Sequence, residues 1–178
     1  MGANNTDTIY ALGSPLGRSA LAVVRVSGNT IPEELYSGLS INKNERGFFV
    51  RRLQLGGFSD VCLVLNFPGP HSYSGEGMLE IHPHGNPVIL SELFSWLEGF
   101  GIREASAGEF SRRGFMNNRL SLADAEGVAL GIEAETKEQL SALEDFRSGA
   151  LGQKVTGLLG VLEDLLVRIE SQLDFSDE

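Results

Sequence analysis

A chain of 178 residues with 42% hydrophobic content can bury one sizeable core and carry a smaller appendage. Its formal charge of -10 and isoelectric point near 4.8 argue against a bare electrostatic grip on nucleic acid, because phosphate binding relies on the Lys and Arg that are scarce here. The single cysteine, Cys62, lies in the apolar run VCLVLNF, no run of 18 apolar residues occurs, and the start MGANNTDT lacks the basic-then-apolar order of a signal peptide, so a cytoplasmic protein without a membrane anchor is expected.

Along the first two-thirds, strand-like and helix-like pieces alternate. Thr8 to Leu12 (TIYAL) and Ala20 to Gly28 (ALAVVRVSG) read as strands. The second runs into Thr30-Ile-Pro-Glu33, whose capping-box spacing with Pro in the first turn predicts a short helix from about Ile31 to Leu39. Phe48 to Gly57 and Val61 to Phe67 flank the turn-rich Gly56-Gly57-Phe58-Ser59-Asp60 and predict a hairpin. Another strand is expected at Met78 to His82. Asn86-Pro87 then supplies an N-cap followed by Pro at the first helical position, and VILSELFSWLEGFG keeps helical apolar spacing until Gly99 and Gly101. A short helix in SAGEFSRRGF, with Ser106 and Glu109 at capping-box spacing, completes an α+β unit: a mixed, about five-stranded sheet with three helices.

From Asn117 to Leu122 the texture changes and strand signals stop. Ser121 is placed to cap LADAEGVALGIEA, and a second helix is expected from about Thr136 to Leu173. Within it Leu151, Val155, Leu158, Leu162, Leu165 and Ile169 recur at alternating spacings of four and three, a heptad seam. About 37 residues at 1.5 Å each make a rod of roughly 55 Å, longer than the neighbouring unit should be wide, so part of the seam is expected to meet something outside this chain. The final LDFSDE carries no Gly or Pro terminator, which leads to the expectation of either an artificial chain boundary or a linker to a further domain. The expected organisation is a domain at residues 1–118 followed by the start of an all-α domain at 119–178.

No GxxxxGK[ST] phosphate loop occurs, and GALGQKV at Gly149 has the wrong spacing, so no GTP hydrolysis is expected of this chain. His82-Pro83-His84 puts two imidazoles on one face of a strand, yet a third metal ligand is missing, and a structural or ligand-contact role for one histidine is the better reading. No Ser-His-Asp or Cys-His arrangement stands out, and no catalytic residue is assigned. Two segments crowd Gly, Pro and Asn against charges: FPGPHSYSGEGMLEIHPHG from Phe67 and GEFSRRGFMNNRLSLADAE from Gly108. Arg25 interrupts the apolar strand LAVVRVSG and Glu80 interrupts MLEIH, and charges expected in a core need partners. Two readings are open: a salt bridge between Arg25 and Glu80, joined by Arg119, or a ligand site. A reduced folate is a ligand that uses all three. Its pterin presents an amino group beside a ring N–H, which one carboxylate accepts in bidentate fashion, and its glutamyl tail is an anion suited to Arg.

The order and wording of these segments resemble the N-terminal part of the MnmE (TrmE) family of tRNA-modification GTPases, from about Thr8 to Asp177. The resemblance implies a fold like the folate domain of glycine-cleavage aminomethyltransferases, binding of 5-formyl- or 5,10-methylene-tetrahydrofolate, and pairing with a twin as a homodimer. It places the family's folate-binding arginine on Arg25 of VVRVSG, its glutamate on Glu80 of GEGMLEIHPHG, and its basic residue after an Asn-rich turn on Arg119 of GEFSRRGFMNNRLSL. It also implies a parent protein that works with a MnmG-type flavoprotein on C5 of the wobble uridine of certain tRNAs. GTP, Mg and K would belong to a GTPase domain beyond this chain, and a further folate contact to the far end of the helical domain. Three departures from the family wording stand out: Ser19, Ala20 and Ala22 where glycine is commoner, Ser121 in place of Asp in Leu-Asp-Leu, and IHPHG in place of a single-histidine pattern. Readings from other classes are an aminomethyltransferase-type folate enzyme and a dimerisation module whose charges only bridge.

Overall fold

The computed structural model of the chain describes residues 7–147 and 149–174. The chain divides into two compact units, Met1–Ser121 and Leu122–Glu178.

In the first unit, β1 (Ile9–Leu12), β2 (Val24–Gly28), β3 (Gly47–Leu55), β4 (Phe58–Phe67), β5 (Gly77–His82) and β6 (Arg103–Glu104) form one mixed sheet in the order β3-β4-β5-β2-β1-β6. Only β1 and β6 run parallel. The sixth strand, beyond the five expected, is a two-residue Arg-Glu edge, too short and too charged to carry an alternation signal. The β3–β4 hairpin turns on Gly56-Gly57 alone, because Leu55 already pairs with Phe58 and Asp60 with Leu53. β2 starts four residues later than the apolar run of Ala20 onward suggests; before it, Ser19 bridges to Gly85.

The helices α1 (Glu33–Gly38), α2 (Pro87–Glu98) and α3 (Glu109–Met116) follow the sequence pattern with two corrections. The Thr30 capping box does not form: Pro32 is the N-cap residue, with no side-chain cap, and the Thr30 carbonyl accepts from Thr8 Oγ1 at 2.9 Å instead. At α3, Gly108 is the N-cap residue, with no side-chain cap, so only the Glu109 half of the Ser106–Glu109 box forms. At α2, Asn86 Oδ1 accepts from Val88 N–H at 2.9 Å with Pro at the helix start, as the Asn-Pro pair demands.

One face of the sheet carries the core. Val24, Val26, Cys62, Val64, Leu79 and Ile81 pack with Leu35 and Leu39 from the α1 segment and Leu90, Leu93 and Leu97 of α2. Each large apolar side chain so buried contributes roughly 1.5 to 3 kcal/mol. Because successive strand residues point to opposite faces, Arg25, Glu80 and His82 are turned away from this core. The expectation that Arg25 and Glu80 interrupt a core is therefore corrected: their side chains retain 37% and 14% exposure on the open face.

In the second unit, α4 (Leu122–Glu133) packs on α5 (Lys137–Arg147), where Gly127 and Gly131 let Leu143 approach closely and Asp124 meets Arg147 at 3.0 Å. The single long helix expected from Thr136 is broken. α6 (Ala150–Asp174) starts after Gly149, which has φ +75° and donates its N–H to Phe146 O at 3.2 Å. The apolar periodicity runs through this point, so it hid the break; at 25 residues, α6 is about 37 Å long. Val155, Leu158, Leu162, Leu165 and Ile169 of the seam are all exposed. Residues 175–178 of the terminal LDFSDE lie outside the described residues.

Candidate ligand-binding site

Arg25 and Glu80 are register partners in the antiparallel β2–β5 pair, and Arg25 Nε donates to Glu80 Oε1 at 2.7 Å. Glu80 Oε2 lies 3.3 Å from His82 Nε2, on the next residue of the same strand face. The row continues across the sheet from Ala11 through Arg25, Glu80 and Leu65 to Phe48. Above it stands Tyr73, whose ring centroid is 5.3 Å from the Arg25 guanidinium carbon, a cation–π distance. The Tyr73 hydroxyl shares a 2.8 Å hydrogen bond with Ser111 of α3. A carboxylate, a guanidinium and an aromatic ring thus converge on an open sheet face.

Arg119 does not join the Arg25–Glu80 pair. Its Nε donates to the Ser72 carbonyl at 3.2 Å, one residue from Tyr73, while Asn117 Nδ2 donates to Ser74 O at 2.7 Å. These two contacts clamp the loop between β4 and β5 to the turn that follows α3. Gly75 permits the clamp: at φ +80°, a Cβ there would sit 2.7 Å from Asn117 Cβ and 2.8 Å from Arg119 Cγ. The loop is also tied from within, Ser72 Oγ donating to Glu76 O at 2.6 Å and accepting from Gly75 N–H at 3.0 Å.

Beneath the loop lies a buried ionic network that the sequence reading missed. Arg113, fully buried, donates to Asp7 Oδ1 at 2.7 Å, Glu109 Oε1 at 2.9 Å and Glu76 Oε2 at 3.2 Å. Arg103 adds a forked contact to Glu109 at 2.6 and 2.9 Å, the bidentate geometry that a guanidinium favours. Glu76 Oε2 also accepts from Ser27 Oγ at 2.8 Å, joining the network to the residue two beyond Arg25 on β2. The Arg103 hydrogen bonds, against the opposing cost of burial, hold the Glu109 carboxyl down at about 2. Burial works against ionised Asp7, yet hydrogen bonds from Arg103 and Arg113 outweigh it and keep that pKa below the ordinary value. The Ser106–Glu109 capping box hinted at this, since Glu109 Oε2 does accept the Ser106 N–H at 2.9 Å; the arginines come from tertiary structure.

The two histidines separate. β5 ends at His82, and His84 turns to Asp60, with Nδ1 2.6 Å from Oδ1 and its backbone N–H donating to Oδ2 at 3.0 Å. The expectation of two imidazoles on one strand face is thereby corrected, and among the described residues no group of three or more His, Cys, Asp and Glu side chains is placed to hold a metal ion. Burial, reinforced by the neighbouring Asp60 carboxylate, pushes the Cys62 thiol up to about 12, which leaves it inert as a nucleophile. A cleft of about 440 Å³ opens at the far ends of β2 and β5, lined by Gly28, Thr30, Tyr36, Lys43, Gly69 and Gly77. It includes none of Arg25, Glu80 and Arg119. Among the described residues, no helix is long and apolar enough to cross a membrane.

A family model described as "GTP-binding protein TrmE N-terminus" matches residues 8–119, a span that contains Arg25, Glu80 and Arg119. The chain belongs to the TrmE N-terminal family. Proteins called tRNA modification GTPase MnmE agree: that of Halorhodospira halophila is 42% identical over 178 residues, covering 98% of this chain and 38% of the relative. That of Caulobacter vibrioides is 42% identical over 174 residues, covering 97% and 39%, and that of Nitrosomonas eutropha 37% over 176 residues, covering 98% and 39%. The chain thus spans about two-fifths of the length of the curated relatives it matches. The TrmE frame runs through both β2 and β5 and ends on Arg119, in the turn that clamps the Tyr73 loop.

Proposed function

We propose that this chain is the tetrahydrofolate-binding, dimerising N-terminal portion of a tRNA-modification GTPase, with an aminomethyltransferase-like folate domain at residues 1–118 and the start of a helical domain at 119–178. The observation that carries the reading is the Arg25–Glu80 pair on the open sheet face beneath Tyr73, inside the family-matched span. The donor set fits a reduced folate. Glu80 offers the acceptor for the pterin amino group and ring N–H, Tyr73 and Arg25 wall the ring, and Arg119 supplies a guanidinium for the anionic tail. When bound, 5-formyl- or 5,10-methylene-tetrahydrofolate supplies a one-carbon unit, and the side chains named here bind and orient it.

In this reading the cytoplasmic parent protein acts with a MnmG-type flavoprotein to modify C5 of the wobble uridine of certain tRNAs, with GTP, Mg and K served by a separate domain. The acidic charge of -10 supports leaving the tRNA contact to those partners. A homodimer is supported by the row of side chains that runs from the site to Phe48, where Phe48, Val50, Val61 and Leu63 leave an exposed apolar strip on β3 and β4. The reading is tested by equilibrium dialysis of 5-formyl-tetrahydrofolate against the gene's full product: saturable binding of one ligand per chain supports it, and no binding at millimolar ligand overturns it.

A further inference from the structure

Glu80 is the only carboxylate among the described residues within hydrogen-bond reach of Arg25, yet one contact to Oε1 does not fix the plane of a carboxylate. The terminal torsion of a glutamate is broad, so a group held at one oxygen still turns about its last bond. His82 holds the other. Its Nε2 lies 3.3 Å from Glu80 Oε2, the two side chains share one strand face, and the imidazole is only 20% exposed. Ionised Glu80 can only accept, so this contact selects the imidazole state that carries its proton on Nε2. Its neighbours on the adjoining strand are apolar: Leu63 is the register partner of His82 and Leu65 that of Glu80.

We propose that His82 is a positioning residue for the ligand site: with Arg25 it pins the Glu80 carboxylate by both oxygens, presetting the plane that a bidentate donor pair must meet. The inference rests on the folate reading of the site and settles which of the two histidines in His82-Pro83-His84 serves it, since His84 turns away to Asp60. A carboxylate fixed before binding loses less freedom when the ligand arrives. The free lone pair of each oxygen then accepts one N–H of the ligand, and His82 touches Glu80, not the ligand.

The test combines binding and spectroscopy on the gene's full product, with 5-formyl-tetrahydrofolate as the probe. His82→Ala is expected to weaken binding about 3- to 10-fold, the cost of one side chain left to be ordered on binding, while the melting temperature stays within a few degrees. His82→Gln, which keeps an N–H donor, is expected to restore most of the affinity. Long-range 1H–15N correlation spectra of the ligand-free protein should show His82 protonated on Nε2, with that signature altered in Glu80→Gln. If His82→Ala binds as tightly as wild type while Glu80→Gln binds poorly, the inference is overturned and the folate reading stands. If wild type binds no folate, the folate reading fails, and with it the ligand role of His82. A proton on Nδ1 in the free protein overturns the pinning itself, whatever binds.

Discussion

Arg25 and Glu80 oppose each other across the β2–β5 pair at 2.7 Å, partly exposed to solvent, while Arg113 and Glu76 form a pair of the same chemistry at 3.2 Å that is sealed from it. The difference decides what each pair can do. A partly solvated pair contributes little to stability and can exchange partners with a ligand, whereas a sealed pair holds the loop in place. Arg113→Met should therefore destabilise the protein by about 3 to 5 kcal/mol, because it leaves Glu76 charged and buried, while Arg25→Met should cost about 1 kcal/mol or less. Urea melts of the two variants check the contrast, and equal losses would remove the distinction between binding pair and structural pair.

Acid should loosen the same network. The Glu109 carboxyl is held at about 2 against an ordinary 4.5, so its stabilisation is fully present above about pH 4.5 and is lost as the pH falls toward 2. The shift corresponds to on the order of 3 kcal/mol. Thermal melts from pH 6 to pH 2 should fall more steeply for wild type than for Glu109→Gln, which has already lost this carboxylate; parallel curves would contradict the assignment.

Gly75 is where backbone and site meet. Gly75→Ala places a methyl group against Asn117 and Arg119 at a φ of +80°, so a destabilisation of about 1 to 3 kcal/mol is expected together with loosening of the Tyr73 loop. Hydrogen exchange should show faster exchange at the Gly75 N–H, which Ser72 Oγ accepts in the native loop.

What the sequence made legible was local. Asn86-Pro87 announced α2 because cap and proline act within one turn, and the hairpin followed from Gly56-Gly57 between two alternating runs. The long-range parts were not. Glu76, Glu109 and Arg113 sit in the two segments that crowd glycine against charge, but nothing local pairs them, and they become buried only when β1, the β4–β5 loop and α3 come together. Arg25 and Glu80 were legible as a pair but misread as core, because the apolar neighbours Val24, Val26, Leu79 and Ile81 on the core face were taken to speak for both faces. Gly149 was missed because hydrophobic periodicity reports a face and is blind to a left-handed residue between two helices.

Association should depend on the apolar strip of the β3–β4 hairpin. A twofold dimer at micromolar concentration is expected from light scattering after gel filtration, and Val50→Glu, which puts a charge into that strip without touching the core, should shift the mass to monomer. A dimer that tolerates Val50→Glu would place the interface elsewhere, on the exposed seam of α6 for example.

The central claim is that Glu80 serves a ligand and not only Arg25. Calorimetric titration of 5-formyl-tetrahydrofolate into wild type and Glu80→Gln, with thermal melts of both, tests it most directly. Glu80→Gln keeps the shape but replaces an acceptor oxygen with a donor, so affinity should fall by roughly 2 to 3 kcal/mol, the scale of a charged hydrogen bond, with little change in melting temperature. Folate binding equal in the two proteins, or absent from both while Glu80→Gln melts far lower, would contradict it and leave Arg25–Glu80 as a structural bridge.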